Sequence, residues 1–164
     1  MACPYFYPEA RLENGPWVVP PRLPLGDAYI GKCRAGASAF QPEEMHVRQV
    51  CNSGYGRGCC DRFPENAPHD AVRFHVAEDS GGLIRIRYVF EKECWPRDNG
   101  ILECAAVSLK IHGTADEILR SQALAFAGSY LRLRELARNN YAERAETNAV
   151  VVGGTAATPR PVGA

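Results

Sequence analysis

The stretch AVRFHVAEDSGGLIRIRYVFEKE, residues 71–93, sets the fold class. Val72, Phe74 and Val76 alternate with Arg73 and His75. DSGG reads as a tight turn, after which Ile84, Ile86, Tyr88 and Phe90 alternate with Arg85 and Arg87. A period of two with one apolar and one charged side marks antiparallel strands that keep one face in water. Further on, Asn99-Gly100 is the strongest short hairpin signal, because both central positions of a type I′ turn need positive φ. ILECAAVSLKIH, residues 101–112, is then expected to run back as the third strand of a meander. With that turn, Trp95 stands opposite Cys104 and Cys94 is its diagonal neighbour, so both cysteines read as core.

Thr114 to about Arg138 reads as one helix. Thr114 and Glu117 match a capping box, and Asp116 and Glu117 suit the positive end of the helix dipole. Leu119, Ala123, Phe126, Tyr130, Leu133 and Ala137 recur at three- and four-residue steps, an apolar stripe whose natural partner is the apolar face of the meander. From 139 to 164 the composition turns to Ala, Gly, Thr and Pro, ending in GGTAATPRPVGA, and reads as a disordered tail.

Residues 1–70 are unlike the rest. They hold nine of the twelve prolines and five of the seven cysteines, with little periodicity beyond a short helical turn at Gln41–Gln49. An irregular stretch of that length in a compact domain calls for a function or a cross-link. Its aromatics (Tyr5, Phe6, Tyr7, Trp17, Tyr29, Phe40, Tyr55 and Phe63) argue against a disordered arm. The expected fold is α+β: an irregular Cys-rich lobe over 1–70, a three-stranded antiparallel meander, and one long C-terminal helix packed on the sheet. Residues 71–138 carry the meander and helix in the same compact unit.

At 164 residues the chain is the size of one domain with its own core. Its 19 basic and 19 acidic residues cancel, and no block of like charge suggests nucleic acid or an anionic membrane as partner. The N-terminus lacks the basic and apolar regions of a secretory signal, and nowhere do enough apolar residues run together to span a bilayer. A soluble cytoplasmic protein is expected. In that compartment clustered cysteines read as metal-binding or catalytic before they read as disulfides, and seven is an odd number.

CNSGYGRGCCDRFP, residues 51–64, carries the chemistry. Thiolates that share a metal need sharply bending backbone and amide donors around concentrated negative charge. Gly54, Gly56 and Gly58 offer both. Arg57 adds a positive charge that favours a reduced, more negative group, and the loop Asn52–Gly58 is expected to be the exposed lip. Cys3 in CPYFYP and Cys33 in GKCRAG lie in the same half. The expected ligands are Cys3, Cys33, Cys51 and Cys60, with Cys59 the spare of the adjacent pair.

Structural zinc usually shows short C-x₂₋₄-C knuckles, and none exists here. A [4Fe–4S] cubane is larger and can be reached from scattered cysteines. The leading expectation is therefore an iron–sulfur protein, an electron carrier or an accessory subunit of a redox enzyme, which works with a redox partner protein. A zinc-stabilised interaction module is the alternative, and a thiol sensor or enzyme built on Cys59-Cys60 the second. His46, His69, His75 and His112 are scattered and read as surface or strand residues. No G-x-G-x-x-G, P-loop or G-x-S-x-G is present, so nothing points to nucleotide binding or a serine nucleophile.

Overall fold

The computed structural model describes residues 1–12 and 23–152, and side chains through 142. Trp17 and the segment 153–164 lie outside the described residues. The elements are β1 (Phe6–Arg11), β2 (Tyr29–Cys33), a single helical turn α1 (Glu44–His46) that widens into a π-turn over Val47–Cys51, β3 (Ala71–Ser80), β4 (Leu83–Lys92), β5 (Trp95–Ala105), β6 (Lys110–His112) and α2 (Glu117–Val152). The chain is α+β, with two antiparallel sheets. One pairs β1 with β2, and the other runs β3-β4-β5-β6 in sequence order.

The meander therefore has four strands, where the alternation predicted three. The first hairpin closes on Gly81 and Gly82, both at positive φ, with Ser80 paired to Leu83. The second does not close on Asn99-Gly100. Lys92 pairs with Trp95, so the two-residue turn is Glu93-Cys94, and both residues adopt positive φ without being glycine. A side-chain acceptor holds this turn: Asp70 Oδ2 takes the Glu93 amide at 2.7 Å.

Asn99 and Gly100 sit inside β5, opposite Val89 and Tyr88. Gly100 is there for space, because a Cβ would lie 2.6 Å from the Tyr88 hydroxyl. The early turn lengthens β5, and the chain turns again after Ala105 to add β6, with Cys104 paired to Ile111. Cys104 is fully buried, whereas Cys94 is exposed on the turn. Cys94 is thus not a core residue.

α2 begins at Glu117, capped by Asp116 rather than Thr114. Asp116 Oδ1 accepts the amides of Ile118 and Leu119 at 2.8 and 3.0 Å, and Thr114 Oγ1 accepts the amide of Asp116. Leu119, Ala123 and Ala127 are buried in one cluster with Ile84, Ile86 and Leu102 of the sheet, and Phe126 stacks on Phe74 at 5.7 Å. The helix continues beyond Arg138 to Val152, so residues 139–152 extend it. By its contacts the chain forms a compact unit over Met1–Leu131 and a second beginning at Arg132. The second unit's described residues are the rest of α2.

The Cys-rich half belongs to the first unit, and polar side chains tie it down. Ala2 exchanges both backbone hydrogen bonds with Val72 of β3, at 2.8 and 2.9 Å. Gln122, fully buried on α2, donates from Nε2 to the carbonyls of Cys3 and Phe6, each at 2.7 Å. The Tyr29 hydroxyl bonds the Ala125 carbonyl and the Ser129 hydroxyl at 2.7 Å. Asn52, also buried, accepts the Tyr29 amide and donates to the carbonyls of Tyr29 and Val47. A chain with little regular structure must satisfy its buried backbone groups in this way.

Candidate thiol centre

Two of the four singled-out cysteines, Cys33 and Cys51, end an element, and Cys3 and Cys60 lie between elements. Cys3 follows the Ala2–Val72 bridge, and its amide donates to the Cys51 carbonyl at 3.2 Å. Cys33 closes β2, paired with Phe6 of β1 and bridged through both backbone groups to Phe40. Cys51 is the last residue of the π-turn, where the Asn52 amide reaches back to the Val47 carbonyl at 3.0 Å. Cys60 lies in the next tight turn, its amide on the Gly56 carbonyl at 2.8 Å.

Gly54 makes the turn between Cys51 and Cys60 possible. It sits at φ +71°, and a Cβ there would come 2.2 Å from the Met1 carbonyl oxygen. No side chain fits between this loop and the N-terminal segment that carries Cys3.

All four thiols line one cavity of about 250 Å³, walled by Tyr5, Phe6, Phe40, Pro42 and Val50, with Glu43, His46, Asp61 and Arg62 also on its lining. Cys3 and Cys51 are buried; Cys33 and Cys60 are half-buried. Burial pushes the Cys3 thiol up to about 12, with the charges of Cys33 and Cys60 adding to the shift and local backbone hydrogen bonds opposing it. Burial likewise raises Cys51 to about 12, and Cys3, Cys33 and Cys60 all add to it. Cys51 thus feels the other three cysteines, and Cys3 feels Cys33 and Cys60. Four thiolates cannot coexist in such a cavity without positive charge among them. Among the described residues, no three His, Cys, Asp or Glu side chains are set to hold a metal ion as they stand. The thiols line a cavity rather than meeting at a point.

The remaining expected site residues are placed differently. Cys59 is exposed, its thiol turned to the carbonyls of Tyr55 and Gly56 at 3.4 and 3.5 Å. Gly54, Gly56 and Gly58 shape the loop but are not on the cavity lining. Arg57 is not on it either. Its guanidinium bonds Asp70 Oδ1 at 2.6 Å and the carbonyls of Glu65 and Ala67 at 2.7 and 3.2 Å, which clamps the loop onto the segment before β3. Buried Asn52 does not form an exposed lip.

Two residues at the cavity are not among the expected site residues: the sequence does not single out Arg62, and His46 reads there as a surface or strand residue. Arg62 stacks its guanidinium 3.6 Å over the Phe40 ring. His46 places Nε2 3.3 Å from the Cys60 sulfur. The signal for His46 was its spacing: five residues before Cys51 is one π-turn, which brings the two to the same side. No protein-family model matches the chain, and neither a curated protein nor a solved structure does.

Proposed function

We propose that Cys3, Cys33, Cys51 and Cys60 hold a [4Fe–4S] cluster, and that the protein carries electrons or serves as the electron-transfer subunit of a redox enzyme. One observation carries the reading: four thiols from separated segments line a single, largely apolar cavity of about 250 Å³. A single water needs only about 10–15 Å³ of such space, so there is room for a group much larger than one ion. A cubane core has eight atoms and is bound at four corners, whereas zinc draws four donors to about 2.3 Å from one point. The buried thiols have a reason to accept a cation, since only positive charge makes their deprotonation favourable. Tyr5, Phe6 and Phe40 shield the cavity, and Cys33 and Cys60 mark the side on which a redox partner protein approaches. Thiols kept reduced fit a cytoplasmic setting.

Anaerobic purification followed by iron, sulfide and zinc analysis tests this. About four irons and four sulfides per chain, with visible absorption that bleaches on dithionite and returns on reoxidation, is the expected result. Stoichiometric zinc without iron replaces the reading with a zinc-stabilised interaction module. A metal-free chain with a titratable thiol at Cys59 or Cys60 replaces it with a thiol sensor or enzyme.

A further inference from the structure

We propose that His46 donates a hydrogen bond from Nε2 to the sulfur of Cys60 and so sets the reduction potential of the cluster that the four cysteines hold. The inference rests on the reading above and adds a residue that tunes the site without ligating it.

The geometry is specific to one corner. His46 Nε2 stands 3.3 Å from Cys60 Sγ, and among the described residues none of the other three sulfurs receives a side-chain hydrogen bond. The backbone that carries the ring is held. His46 is the residue before the π-turn Val47–Cys51, whose other end carries the ligand Cys51, so imidazole and ligand loop move together. The turn is anchored on its far side by buried Asn52, which donates to the Val47 carbonyl at 3.0 Å. The bonded sulfur is also the right one, because Cys60 is half-buried and Cys3 and Cys51 are buried. The tuned corner faces the side that a partner can reach.

The chemistry follows from where charge goes. One electron arrives from a one-electron reductant; no bond to the protein forms or breaks, and the proton stays on His46. The added negative charge spreads onto the thiolate sulfurs. An N–H aimed at one of them stabilises the reduced state more than the oxidised state, and does so more strongly in an apolar cavity than in water. Deleting that donor lowers the potential. Glu43 and Asp61 on the lining cannot take its place, because a carboxylate offers no donor. Arg62 and Tyr5, which carry donors, are turned to aromatic rings instead, Arg62 over Phe40 at 3.6 Å and Tyr5 against Phe63 at 5.5 Å.

The full chain, His46→Phe and His46→Gln are purified anaerobically, analysed for iron and sulfide, and titrated by electron paramagnetic resonance at controlled solution potentials. All three are expected to hold the same iron. At a fixed potential near the midpoint, His46→Phe shifts the ratio of reduced to oxidised cluster about tenfold toward oxidised, about 59 mV for one electron. His46→Gln keeps an N–H of similar reach and recovers most of the shift. An unchanged potential in His46→Phe at full iron content overturns the inference. Loss of iron from that variant overturns it too, since His46 would then be holding the cluster rather than tuning it. Wild-type protein that takes up no iron overturns the parent reading, and this one with it.

Discussion

The amide of Cys3 donates to the carbonyl of Cys51 at 3.2 Å, which sets two buried thiol residues from distant parts of the Cys-rich half side by side. The contact is made by backbone, so it persists whatever the thiols hold. It means that two of the four cysteines on the cavity lining are brought together by backbone alone.

The adjacent cysteines should separate cleanly. Cys60 lines the cavity and Cys59 is exposed. Cys60→Ser is expected to lose most of the iron that wild-type protein retains after anaerobic desalting, and Cys59→Ser to keep it. Equal iron in the two variants sinks the ligand assignment.

Gln122 links the helix to the centre. Replacing it with Met keeps the volume but leaves the carbonyls of Cys3 and Phe6 without their donor. A buried group left unpaired costs about 1–3 kcal/mol, so Gln122→Met should lose about that much in urea unfolding of the metal-free chain. It should also release residues 1–12 to protease sooner. A loss under about 0.5 kcal/mol would show that the two carbonyls find other partners.

Asp70 makes stability depend on pH. Burial alone would raise its pKa, but the Glu93 amide and the Arg57 guanidinium outweigh it and hold the carboxyl below the usual range. A depressed pKa in the folded state contributes stability above the unfolded value, about 3.9, and loses it as pH falls through the folded value. Asp70→Asn is therefore expected to cost about 1.5–3 kcal/mol at neutral pH. That difference should shrink below about pH 4. A difference that stays constant down to pH 3 contradicts the assignment.

The hairpin turn offers a test of the fold itself. Cys94 sits at φ +64° and Gly100 lies under the Tyr88 ring. Cys94→Gly relieves a left-handed residue, an arrangement worth about 1 kcal/mol, and should raise stability slightly. Gly100→Ala overpacks the strand and should cost about 1–3 kcal/mol. If the turn were at Asn99-Gly100, Cys94→Gly would instead place a glycine inside a strand and lower stability.

Strand identity in residues 71–93 was legible because alternation is written into neighbouring residues and one face must leave water. The two-glycine turn was legible for the same local reason. Helix α2 was legible as an element, since its stripe repeats every three or four residues. The residue types of the thiol centre were legible too: cysteines in an irregular, aromatic-bearing half have few uses.

What could not be read locally was settled by contacts between distant residues. Asn99-Gly100 has the stronger turn chemistry, yet Glu93-Cys94 makes the turn. A carboxylate outside the hairpin, on Asp70, binds the Glu93 amide, and the Tyr88 ring claims the space over Gly100. Arg57 reads as a free cation beside the cysteines until folding brings Asp70 to it. His46 reads as an isolated histidine until the π-turn and the Gly56–Cys60 turn bring its ring to a sulfur. Local patterns fix backbone habit and which face is apolar. Which charges are neutralised, and which thiols share a cavity, depends on side chains that meet only when the chain has closed.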